Sequence, residues 1–408
     1  MISKPVFLYL AANILSALIG FAMLPIVTRV LTPSEYGVFS IFQSLSAAAG
    51  IFVGLNSQGL LLKKIFVNNE VVGLKAYVTL TILVALLSWF FAALLSLLML
   101  NIIEIELTFS QSLLAITLSL FVFIVRIRTV LYQGFEQPIF YAFYQVGGAF
   151  LIFLSVILFV VYFEFGVDGR MAGAVIGPLF FSFLAIYSLI RNKLIVLMFS
   201  KRVLKEILDF GMPLLPHAIF GVSFLYVDRW VIAANLGYDS VGIYGAILQI
   251  VAPVTLLFDA FNKAYVPWLY KKLANKKKNF SLLRHQMIVL FAIVVGAIIA
   301  FFVLKYVSSF ILPENYQAPD SVMFYVFISI VFLGFYQMPN NVLFFYKKTG
   351  SVSIVTGVGF LIYLIALYFT VEPFGLIGVA VSFFISVGVR CVLSLILSNF
   401  HFINSQSN

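Results

Sequence analysis

Asp228 and Arg229 interrupt an otherwise apolar stretch, Phe224-Leu-Tyr-Val-Asp-Arg-Trp-Val-Ile. Inside a bilayer a central charge costs at least about 2.5 kcal/mol, so such residues are usually retained for function. Adjacent side chains project about 100° apart on a helix, so these two need not pair. They read as lining or ion-coupling groups of an interior cavity, or as a structural polar pair between helices. Asp259 and Lys263 stand four apart on one face, an acid-before-base order that favours a helix pair. Lys263, near a helix end, either snorkels to the interface or joins Asp259 in coupling. Arg29 closes the first apolar run on a side where positive charge is disfavoured, which suits an anionic substrate, a lipid headgroup or packing. Arg390 falls in the middle of the last apolar run, with Ser386 and Ser394 along the same stripe. Arg126 and Arg128 close the fourth run and read as ordinary interfacial anchors.

Enzyme chemistry finds no footing. His217, His285 and His401 stand apart, and neither H-E-x-x-H nor a Walker-type glycine loop is present. The single cysteine, Cys391, forms no intramolecular disulfide and completes no metal cluster. No metal, cofactor or catalytic residue is therefore expected.

The elements that position these charges follow from composition. Of 408 residues, 63% are hydrophobic and 10% charged. A soluble domain is roughly a quarter charged, so the main solvent here is lipid. A helix crosses the hydrocarbon with about 20 apolar residues, its backbone groups satisfied internally. Twelve apolar runs, from 5–28 to 376–398, fill the chain. The first is full length without a convincing cleavage site, and reads as an uncleaved span.

The connections alternate in charge. Lys63, Lys64 and Lys75 follow the second run; Arg191, Lys193, Lys201, Arg202 and Lys205 the sixth; Lys271, Lys272, Lys276 to Lys278 and Arg284 the eighth; Lys347 and Lys348 the tenth. The intervening loops hold Glu35, Glu104, Glu106, Glu164, Asp168, Asp239, Glu314, Asp320 and Glu372. Translocation disfavours Lys and Arg, so the basic connections and both termini are expected in the cytoplasm. The net charge of +10 then reflects topology and contact with membrane lipids, and nucleic acid is not an expected partner.

The sequence divides into residues 1–190, a linker at 191–212, residues 213–398 and a tail at 399–408. In the linker, Leu204, Ile207, Leu208 and Phe210 oppose Lys201, Lys205 and Asp209, an amphipathic helix expected on the cytoplasmic interface. Two turns repeat between the halves. Leu31, Gly37 and Phe39 fall opposite Leu236, Gly242 and Tyr244, and Phe165-Gly166 with Gly169 opposite Phe374-Gly375 with Gly378. The expected fold is an all-α membrane protein of about twelve transmembrane helices in two parallel-repeat six-helix bundles, with substrate held between them. Pro25, Pro178, Pro213, Pro216, Pro253, Pro267 and Pro339 lie in or at the ends of spans, where a bend is tolerated.

Three segments carry a family resemblance: Arg29-Val-Leu-Thr-Pro-Ser-Glu-Tyr-Gly37-Val-Phe-Ser, Tyr132-Gln-Gly-Phe-Glu-Gln-Pro-Ile-Phe-Tyr-Ala142, and the stretch from Asp228-Arg-Trp to Gly242-Ile-Tyr244. The chain resembles Wzx-type polysaccharide flippases of the multidrug/oligosaccharidyl-lipid/polysaccharide exporter superfamily. The resemblance implies transfer of an undecaprenyl-diphosphate-linked oligosaccharide from the cytoplasmic to the periplasmic leaflet of the inner membrane by alternating access, with no enzymatic step. It implies a cationic cavity, for which Arg29, Arg229 and Arg390 are the candidates. Asp228, with Asp259 and Lys263, is the candidate for counter-charge or ion coupling. Implied partners are the lipid-linked oligosaccharide and the polymerase and chain-length proteins of the pathway. A multidrug antiporter of the same superfamily is the alternative, disfavoured because the first span, Val6 to Thr28, holds no acid. A membrane polysaccharide polymerase is disfavoured by the short outer loops.

Overall fold

The computed structural model describes residues 4–67, 71–99, 106–196, 199–274 and 281–407. Glu104 and Lys276 to Lys278, part of the charge alternation, lie outside the described residues. Every regular element among the described residues is helical. The chain forms two compact units, Met1–Tyr226 and Val227–Asn408.

The first unit contains α1 (Lys4–Ala22), α2 (Leu24–Val30), α3 (Pro33–Phe52), α4 (Gln58–Val67), α5 (Val71–Met99), α6 (Phe109–Gly134), α7 (Pro138–Val156), α8 (Gly166–Arg191) and α9 (Lys201–Gly211). The long α10 (Leu215–Ala274) begins in this unit and continues into the second, which adds α11 (Leu282–Ile311), α12 (Asp320–Phe345) and α13 (Thr349–Ser407). Ten helices among the described residues are long and apolar enough to cross a membrane. Two of these, in α10 and α13, run 57 and 56 residues and are broken by non-helical Gly237 and Gly375. Each piece flanking a break still carries about the 20 residues that a crossing needs. The protein is an all-α, multi-pass membrane protein.

Local chemistry starts and stops these helices. Thr32 caps α3: its side chain accepts from the Glu35 N–H at 3.3 Å, while Glu35 Oε2 accepts from the Thr32 N–H at 2.8 Å. With Pro33 at the first helical position, the Thr-Pro-Ser-Glu segment is a reciprocal helix start. Thr108 and Gln111 do the same for α6. The two Phe-Gly-x-x-Gly turns also share one geometry. Gly166 and Gly375 adopt φ of 55° and 57°. A Cβ on Gly169 would stand 2.8 Å from the Phe159 carbonyl oxygen, and one on Gly378 2.0 Å from that of Thr370. The repeated glycines thus answer a repeated steric demand.

Amphipathic α9 packs against protein. Ile207 is fully buried, and Leu204, Leu208 and Phe210 pack on the core of the first unit. Its apolar face therefore meets protein, while Lys201, Arg202 and Lys205 are exposed. A polar clamp stands beside that face. Glu206 Oε2 accepts from Lys64 Nζ and from the Tyr77 hydroxyl, both at 2.6 Å. These bonds hold the Glu206 carboxyl down at about 2. The clamp is complete above the ordinary carboxylate value of 4.5 and is lost as pH falls through about 2. Glu206 is about one-third exposed, so Glu206→Gln should cost only about 1 kcal/mol. Amide exchange should quicken across α9 at neutral pH, and the wild type should come to match the variant as pH drops below 4.5 toward 2. Unchanged exchange in the variant would show that apolar packing alone docks α9.

Candidate functional site

In the second unit, Asp228 is buried and does pair with its neighbour. Arg229 Nη1 lies 2.8 Å from Asp228 Oδ1, which also accepts from the Arg229 backbone N–H at 2.8 Å. The flexible guanidinium arm folds back across the 100° between adjacent positions, a reach that helical spacing alone does not reveal. The Tyr363 hydroxyl donates to Asp228 Oδ2 at 3.3 Å, tying α10 to α13. Asp259 and Lys263 are both exposed and form no ion pair with each other. This corrects the expected helix pair: Asp259 instead accepts from Gln337 Nε2 of α12 at 3.2 Å.

Arg390 belongs to a stripe in α13 where every fourth residue is polar and buried: Ser382, Ser386, Arg390, Ser394 and Ser398. Ser386 donates to the Gly359 carbonyl at 2.7 Å, Arg390 Nη2 to that of Thr356 at 3.1 Å, and Ser394 to Asn340 Oδ1 at 2.7 Å. Gln286 Nε2 of α11 donates to Ser398 at 3.3 Å. Each bond satisfies a polar group that lipid could not, so the stripe fastens neighbouring helices. Buried Cys391, next in sequence, donates to the Phe332 carbonyl. Arg29 is exposed in the last turn of α2, in the first unit. The six predicted residues are therefore dispersed: one at a helix end, two in an ion pair, two exposed on α10 and one in a helix interface.

Two cavities in the first unit bring other residues together. One, of about 420 Å³, is walled by α3, α6 and the start of α10, with Gln43, Ser46, Asn56, Ser119 and Tyr226 as polar lining. The other, of about 510 Å³, lies among α1, α6, α7 and α8, with Ser16, Thr129, Gln133, Gln145, Tyr141 and Tyr144 on its walls. Val122 and Arg126 line both. Among the described residues Arg126 is the one charged residue lining either cavity, and no Asp or Glu does. The arrangement sets a solitary cation among amides, hydroxyls and tyrosine rings. Such a site can hold one compact anion by charge-assisted hydrogen bonds and surround it with neutral hydrogen-bonding groups.

Arg126 and Arg128, both read as anchors, have different surroundings. Helix α6 continues to Gly134, so Arg126 lies eight residues, about 12 Å, inside its end. Arg128, two positions on, faces elsewhere. It is buried, lies 4.2 Å over the Tyr132 ring and donates to Ser188 Oγ at 2.8 Å. Helix α6 runs on through Tyr132-Gln-Gly134 and ends at the Phe135-Glu136 turn.

Comparison with known proteins agrees with this architecture. The sequence profile of the family described as "Polysaccharide biosynthesis protein" matches residues 2–273. A "Putative O-antigen transporter" of Shigella flexneri is 26% identical over 402 residues, covering 93% of this chain and 92% of that protein. Among solved structures, "Lipid II flippase MurJ, inward closed conformation" superposes with a TM-score of 0.70 at 15% identity, over 98% of this chain and 91% of that one. An inward-facing multidrug resistance MATE family transporter of the MOP superfamily gives 0.66 at 14% identity, over 98% and 99%. At such identities the two structures show a shared fold.

Proposed function

The chain belongs to the polysaccharide biosynthesis protein family, and on that premise we propose that it flips undecaprenyl-diphosphate-linked oligosaccharide units across the inner membrane. The direction is from the cytoplasmic to the periplasmic leaflet, for assembly of a surface polymer such as O-antigen, capsule or exopolysaccharide. The protein is a transporter, with no chemical step on the glycan. The observation that carries the reading is the acid-free pair of cavities meeting at Arg126. A diphosphate asks for one concentrated cation, and a glycan asks for amides, hydroxyls and aromatic faces. A multidrug cation would ask for an acid instead.

On this reading the chain crosses twelve times in two six-helix halves, with α10 and α13 each supplying two spans on either side of Gly237 and Gly375, and with both termini cytoplasmic. Alternating access driven by an ion gradient moves the substrate, with Asp228 as the buried acid suited to coupling and Arg29, Arg229 and Arg390 as further cations. The polymerase and chain-length proteins of the same pathway are its functional partners.

Deletion of the gene tests this reading. Lipid-linked repeat units should accumulate on the cytoplasmic leaflet while surface polymer disappears. Normal polymer together with altered drug tolerance would instead establish the antiporter.

A further inference from the structure

The second apolar run is not one helix. Between α3 and α4 the chain makes a single turn, Val53–Asn56, in which Gly54, Leu55 and Asn56 have φ of 72°, 52° and 53°. Left-handed backbone is natural for Gly, tolerated by Asn and unfavourable for Leu. In a bilayer, chain that leaves the helix must be buried in protein or line a cavity. This break does both: Leu55 is buried, whereas Asn56 stands on the wall of the cavity that holds Arg126.

Packing between an aromatic ring and a glycine does not by itself require the interruption. In the first unit Gly54 makes room for the Phe123 ring of α6. In the second, the sizes are reversed, with Phe258 of α10 against Gly334 of α12, and α10 stays helical there. Backbone strain held at a cavity wall is a marker of function.

What the break delivers is an amide. Gln58 Nε2 approaches Asn56 Oδ1 at 3.5 Å, and buried Gln58 Oε1 has no partner among the described residues. Around Asn56 the same wall carries Gln43, Ser46 and Ser119. An amide offers two donors and an acceptor, complementary to vicinal sugar hydroxyls. We propose that Asn56, presented by the left-handed break, is a glycan-binding residue that takes the hydroxyls of a neutral sugar next to a diphosphate held at Arg126. This assignment rests on the flippase reading and separates sugar recognition from phosphate recognition within one cavity.

Asn56→Gly keeps the left-handed backbone and removes the amide. Purified wild type and variant are titrated with two probes: the lipid-linked glycan extracted from the deletion strain, and glycan-free undecaprenyl diphosphate. The variant should bind the glycan-bearing lipid about tenfold more weakly and the bare diphosphate with unchanged affinity. Where Asn56→Gly lowers thermal stability, Asn56→Ala, uncharged and lacking the amide, is read in the same assay with the same selective loss expected. Equal affinities of variant and wild type for both probes, or an equal loss for both, overturns the assignment and leaves the flippase reading standing. A wild type that binds neither probe overturns both.

Discussion

Arg126→Gln should cut polysaccharide export by roughly 10- to 100-fold at equal protein level, the loss of a charge-assisted contact worth about 1.5–3 kcal/mol. Glutamine keeps much of the side-chain length and its hydrogen bonding but not the charge. Because Arg126 is exposed on the cavity wall, the variant should fold as well as the wild type. Arg126→Lys restores a point charge without the planar fork and should recover export in part. Export can be followed by surface polymer per unit of membrane protein, with lipid-linked intermediates as the complementary readout. Full export by Arg126→Gln would remove the cation at which the two cavities meet from the mechanism. Arg128→Gln makes an informative contrast. Its loss should appear as lowered thermal stability, because Arg128 is buried over Tyr132 and bonded to Ser188.

Gly54→Ala should be among the most destabilising single changes in the chain. A Cβ there would stand 2.0–2.5 Å from carbon atoms of the Phe123 ring, at a φ of +72°. Left-handed backbone costs a residue with a Cβ about 1–2 kcal/mol, and overpacking adds about 1–3 kcal/mol. Together these come to about 2–5 kcal/mol, a large share of a typical fold's total stability of about 5–15 kcal/mol. Unfolding of the detergent-purified protein should shift to clearly lower temperature, with export falling alongside. Adding Phe123→Leu should return the overpacking part and leave the backbone part, a coupling that a double-mutant cycle isolates. Single and double variants that lose stability additively would mean the ring and the glycine do not constrain each other.

Different parts of the molecule were legible to different degrees. The helix starts at Thr32 and Thr108 carry a local signal, a capping box between residues three apart, that a count of apolar runs does not use. The repeated Phe-Gly-x-x-Gly turns were readable because a positive φ and a close carbonyl both select glycine. Amphipathicity correctly marked α9 as a helix with one apolar face. It could not say whether that face meets lipid or protein, since both are apolar; the tertiary fold set both the docked face and the Glu206 clamp, whose partners are 142 and 129 residues away.

The charged residues show the limit most clearly, and they return the question to where the sequence began. By itself the sequence determined a multi-pass helical protein, because hydrophobic run length and backbone satisfaction are properties of single segments. It also identified which charges sit at a cost. Only the tertiary structure decided what each charge meets. Arg390 proved to bond the Thr356 carbonyl across the Gly375 break of α13, Asp259 turned to Gln337, and Arg126, expected at an interface, came to the wall of two cavities. A side chain's cost depends on its own helix, whereas its partner is set by which other helices pack against it.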